Sequence, residues 1–87
     1  MVFELKVPDH LEEGVFANYA RVWHTRSEFT VDFAFAPSNR EQLDEARLVS
    51  RVGLPTIFLF QLIRELNSDM TEYEREFGEI PRFDAED

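Results

Sequence analysis

The chain contains no cysteine, and that single absence removes disulfides, thiol nucleophiles and zinc–thiolate sites together. Glycine is scarce, at three residues in 87. No Gly-rich phosphate loop can be built, and neither a Gly-x-Ser-x-Gly elbow nor a His-Glu-x-x-His pair occurs. An enzyme is therefore not expected, and no cofactor is implied. No apolar run approaches the ~20 residues that cross a bilayer. The opening residues, Met-Val-Phe-Glu-Leu-Lys-Val-Pro, lack the basic and apolar blocks of a signal peptide, so a cytoplasmic protein is expected. Positive charge is in short supply. Nine basic residues against eighteen acidic give a formal charge of −9. Phosphate backbones and anionic lipid surfaces are repelled at long range, which argues against nucleic acid and membrane as partners.

What the chain does have is phenylalanine, nine in all. Many aromatics with few glycines indicate a packed core, not a disordered segment. The length suits one domain, residues 1–87, but so small a chain buries only about 60–65% of its unfolded surface. Without disulfides, added stability has to come from a partner or a metal.

The most informative stretch is residues 55–77. Leu59, Ile63, Leu66, Met70, Tyr73 and Phe77 recur at steps of four and three, one face of an α-helix. Pro55 suits the first helical position, Gly78 the residue just past the end, and Pro81 blocks continuation. From Ile57 to Ile63 only Gln61 is polar, so this start is apolar all round and needs cover all round. Ile57, Phe58 and Phe60 are therefore expected at an interface with a second copy.

Upstream, four strands are predicted. Residues 2–7 alternate Phe3, Leu5 and Val7 with polar neighbours; residues 15–25 carry apolar groups on both faces, Tyr19 and Trp23 among them. Arg26-Ser27 makes a short connection into residues 28–36, where Phe29, Val31, Phe33 and Phe35 share one face. That row is expected to be core, lying along the helix stripe. Pro37-Ser38-Asn39-Arg40 reads as a turn, residues 41–45 as a polar loop and residues 46–52 as the fourth strand. Residues 79–87 form an acidic tail to which Ile80 and Phe83 belong. The expected fold is α+β: a four-stranded antiparallel sheet, then one long C-terminal helix packed on it or on a partner subunit, as a dimer.

Asn18, His24, Glu28-Phe29, Asp32-Phe33, Ser50-Arg51, a Pro-initiated helix, Tyr73-Glu74 and Phe77-Gly78-Glu79-Ile80, in that order, together resemble the bacterial and archaeal family called domain of unknown function 3467. The likeness covers about residues 16–80. Members often have Ser or Thr before the helix proline and a Lys in the first helical turns; Leu54 and Gln61 stand in those regions here. The resemblance implies no established activity. At the level of topology alone, the chain is also similar to SecB-type export chaperones, which are acidic and assemble as dimers of dimers.

Two constellations carry chemistry. His24, Glu28 and Asp32 meet across the hairpin in this reading, and imidazole plus two carboxylates can hold a divalent ion. The structural alternative pairs Glu28 and Asp32 with Arg47 and Arg51, placed on one face of the last strand. Arg side chains beside Tyr19 and Trp23 can instead bind an anion or stack on bases, although the net charge favours internal pairing. Asn18, among apolar neighbours, has to find partners and is expected to fix register or a backbone contact. These features lead to a non-catalytic homo-oligomeric protein-interaction module, adaptor- or chaperone-like, binding itself and other polypeptides. The alternatives are a small metal- or ligand-binding protein using His24, Glu28 and Asp32, and a structural subunit of a larger assembly.

Overall fold

The alternation read in residues 15–36 becomes a hairpin. In a computed structural model, which describes residues 3–37 and 45–82, β1 (Tyr19–His24) pairs antiparallel with β2 (Glu28–Phe35). The register runs from Tyr19 opposite Ala34 to His24 opposite Phe29. The Thr25 N–H donates to the Glu28 carbonyl at 2.9 Å, closing the turn over Arg26-Ser27, and the Ser27 N–H reaches the Thr25 hydroxyl at 3.3 Å. β3 (Arg47–Pro55) completes a sheet of order β1-β2-β3. Glu28 lies by Gly53, Asp32 bonds Arg51, and Phe35 shares a hollow with Val49, so partners on β3 fall in number as those on β2 rise. That is antiparallel pairing. The chain divides into two compact units, Met1–Leu54 and Pro55–Asp87, and each is described by itself.

Among the described residues the sheet has three strands, not the expected four. Residues 3–7 belong to no strand, and Phe3, Leu5 and Val7 are exposed. Alternation says that one face of a segment wants cover, but it does not name the strand that will lie alongside. Pro8 then leads into a 3₁₀ turn, Asp9–Leu11. β1 also starts later than residue 15, for a visible reason. Continued in register, Ala17 would oppose Ala36; instead the Asn18 carboxamide takes that place. Its Nδ2 donates to the Ala36 carbonyl and its Oδ1 accepts from the Ala36 N–H, both at 2.8 Å.

The buried side of β2 is the reverse of the expected one. Thr30, Asp32, Ala34 and Ala36 are buried, while Phe29 and Val31 are half-buried and Phe33 and Phe35 are exposed. Small residues need little cover, and the Trp23 and Arg51 side chains reach across this face to Asp32 at its middle. Three phenylalanines and a valine on the other face need a larger second layer; among the described residues of this unit Phe16 stands beside Phe35, with 6.1 Å between ring centres.

In the second unit, Pro55 does not open the helix. It ends β3 with an extended backbone (φ −66°, ψ 148°), and a 3₁₀ turn, Thr56–Phe58, intervenes before α1 (Leu59–Phe77). Proline fixes φ but leaves ψ free, so the same residue serves a strand end or a helix start. The nineteen residues of α1 span about 28 Å. Its C-terminus follows expectation closely. Gly78 adopts φ 97°, ψ 178°, a region essentially restricted to glycine. Its N–H donates to the Glu74 carbonyl at 2.9 Å, and the Glu74 carboxylate accepts the Ile80 N–H at 3.1 Å. None of the helix residues is buried. Val2, residues 38–44 and the tail from Phe83 onward lie outside the described residues.

Candidate functional site

Polar chemistry in the first unit converges on Asp32. The middle of β2 places its carboxylate on the buried face, opposite Arg21 in register and between β1 and β3. Oδ1 accepts from Arg51 Nε at 2.6 Å, and Oδ2 accepts from Arg51 Nη2 at 3.0 Å and Trp23 Nε1 at 3.1 Å. This is a two-pronged guanidinium–carboxylate pair, the strongest of the common ionic geometries. Arg21 stands further off, its Nη2 3.9 Å from Oδ2. The Arg51 guanidinium also lies over the Trp23 ring, 5.7 Å from its centre.

The electrostatics follow from these contacts. The Arg51 hydrogen bonds hold the Asp32 carboxyl below the usual carboxylate range, and Trp23 adds to that against the opposing effect of desolvation. Arg51 is shifted upward by the same bonds. Asp32 is thus a fixed anion with both oxygens occupied, poorly suited to accept a proton or a metal ion. Beside it, a hollow of about 380 Å³ is lined by Tyr19, Arg21, Ala34, Leu48 and Arg51 among others.

The three residues considered for a metal site are not brought together. Asp32 and Glu28 lie on one face of β2, but His24 opposes Phe29 and stands on the other, its ring 5.3 Å from the Phe29 ring. Opposed residues in this hairpin pair an even number with an odd one, so His24 and Glu28, both even, fall on opposite faces. Among the described residues no group of three or more His, Cys, Asp or Glu side chains is placed to hold a metal ion.

Arg47 and Arg51 separate as well. Leu48 and Arg51 line the Asp32 hollow, while Arg47 and Val49 line a hollow with Phe16 and Phe35. Only Arg51 reaches the expected carboxylate. Arg21 reaches the Asp32 hollow from β1, on the strand face that alternation assigns to Tyr19, Arg21 and Trp23.

Asn18, Asp32, Ser50-Arg51 and the Gly78 helix end now occupy defined structural places over nearly the whole chain. The chain belongs to the family described as "Protein of unknown function (DUF3467)", whose sequence model matches residues 3–82. No curated protein and no solved structure matches it. In this DUF3467 chain, no helix among the described residues is long and apolar enough to cross a membrane.

The expected interface residues remain accessible. Ile57 and Phe60 are exposed and Phe58 is half-buried in the helical unit; Tyr19 and Trp23 are each a little under half exposed on β1. What this DUF3467 chain offers is thus a rigid polar clamp on one sheet face and uncovered aromatic surface elsewhere.

Proposed function

We propose that the protein is a non-catalytic, homo-oligomeric protein-interaction module, adaptor- or chaperone-like in kind and working in the cytoplasm. The observation that carries this reading is the open aromatic face of β2, where Phe33 is 37% and Phe35 is 44% exposed. Fully burying such a side chain is worth about 1.5–3 kcal/mol in all, so covering the part of Phe33 and Phe35 still in water rewards a partner. The helical unit repeats the pattern independently. Ile63, Leu66, Met70, Tyr73 and Phe77 lie on one stripe, all exposed. An excess of acidic residues keeps such a molecule soluble while its apolar faces are free.

Sedimentation at micromolar concentration tests the self-association. The expected particle is heavier than the 10.3 kDa chain, and Phe60→Glu or Phe58→Glu shifts it toward single chains, because a buried charge without a counter-ion is unfavourable. A stable 10.3 kDa parent particle refutes the oligomer. Failure to retain any unfolded client or cellular protein refutes the wider binding role.

A further inference from the structure

We propose that residues 3–7 form a fourth strand on the open edge of β1 in a second copy of this chain, and that the exchange is mutual. The inference rests on the self-association just argued and names its seam. Phe3, Leu5 and Val7 alternate with Glu4 and Lys6, the pattern of a half-buried strand, yet they are 79%, 85% and 51% exposed and lie in no sheet. The match to the family begins at residue 3, so this segment is part of the family's own unit and not an appendage to it. A strand pattern without a strand partner is half of an interface.

The other half is β1. It is an outer strand in the order β1-β2-β3, and each of its six residues is exposed. Natural sheet edges are commonly blocked by proline or lysine, and β1 (Tyr-Ala-Arg-Val-Trp-His) contains neither. Parity and charge then select one alignment. Ala20 and Val22 stand on the same side of the sheet as Phe33 and Val31, while Tyr19, Arg21 and Trp23 stand on the other. Laid antiparallel with Glu4 opposite Arg21, the segment sets Phe3 opposite Val22 and Leu5 opposite Ala20. Its apolar residues extend the aromatic face across the new strand. The Glu4 carboxylate meets a guanidinium that is 69% exposed and only distantly paired with Asp32. Lys6 falls opposite Tyr19. A slip by one residue would reverse every side chain, and a slip by two would take Glu4 away from Arg21.

Because the chain has no cysteine, engineered thiols report on this seam without interference. Leu5→Cys and Ala20→Cys are made as separate chains, refolded together and oxidised mildly; every mixed disulfide then joins two molecules. Opposed residues in neighbouring strands lie within disulfide reach. The mixed covalent dimer is expected to form at least about tenfold faster than either like-with-like dimer, reflecting the high local concentration at a formed interface. Equal rates overturn the proposal. A Leu5→Cys/Ala20→Cys double variant that closes internally at the size of one chain also overturns it, since the segment then folds onto its own edge. Leu5→Pro supplies the second measurement: it should raise the protein concentration needed for self-association by at least about tenfold, with the sheet signal in circular dichroism retained. If Leu5→Pro self-associates at the parent's concentrations, this seam is wrong and the self-association reading stands. If the parent itself sediments as a single chain, both fall.

Discussion

Replacing Asn18 with alanine isolates one side chain's control over the sheet. The Asn18 carboxamide exchanges two 2.8 Å hydrogen bonds with the main chain of Ala36, a residue only 1% exposed. A typical internal hydrogen bond contributes about 0.5–1.5 kcal/mol net, so the pair is worth about 1–3 kcal/mol. Asn18 itself is exposed, and water can partly replace it, which favours the lower half of that range. Asn18→Ala should therefore destabilise by about 1–2 kcal/mol. With a urea slope near 1 kcal/mol/M for a chain this small, the midpoint should drop by about 1–2 M at fixed protein concentration. Asn18→Asp separates the two bonds. It keeps the acceptor for the Ala36 N–H but turns a carboxylate oxygen toward the Ala36 carbonyl, so its carboxyl pKa should rise. A group with a raised folded-state pKa stabilises at low pH and loses that contribution as pH climbs through the folded value. Asn18→Asp should thus recover stability on acidification where Asn18→Ala does not. A midpoint for Asn18→Ala equal to the parent's, or an Asn18→Asp variant indifferent to pH, would refute this account of how β2 is held.

Other perturbations probe the clamp and the helix end. Asp32 has a folded-state pKa below its ordinary 3.8, so its contribution is present above that value and is lost as pH falls further toward the folded pKa. Urea titrations followed by the fluorescence of Trp23 should show a loss of stability over that acid range, and Asp32→Asn should be less stable at neutral pH and lack that loss; parallel acid limbs would contradict the assignment. Gly78→Ala forces an alanine into φ 97°, ψ 178°, which should destabilise by about 1–3 kcal/mol and release the Ile80 N–H from Glu74. Native-state hydrogen exchange at Gly78 and Ile80 checks this, and unchanged protection there would exclude it.

Local patterns in the chain were legible because their causes are local. The 3–4 spacing from Leu59 to Phe77 marks a helix wherever it sits, and Gly78 with Pro81 marks its end. Two-residue alternation around Arg26-Ser27 specifies the hairpin, and antiparallel pairing of Tyr19–His24 with Glu28–Phe35 follows from the short connection. The family is visible in the same ordered residues. The pairing of Asp32 with Arg51 could be anticipated from opposite charges on strands close enough to meet, although Arg21 and the Trp23 donor could not be ranked from spacing.

Other features depended on which strand lies beside which, and periodicity carries no such information. Alternation in β2 distinguishes two faces but does not say which is covered. Neighbouring strands decided that, by sending Trp23 and Arg51 across the side of Thr30, Asp32 and Ala34. Arg47 and Arg51 came to line different hollows, and hairpin register put His24 on the far side from Glu28 and Asp32. The amino-acid order by itself determined the long helix with its C-terminal end, the hairpin around Arg26-Ser27 and the acidic, cysteine-free character of the chain, since the helix and the hairpin follow from residues within a few positions of one another. Tertiary structure alone decided the number of paired strands, the buried face and the company Asp32 keeps, because those depend on contacts between residues far apart in the chain.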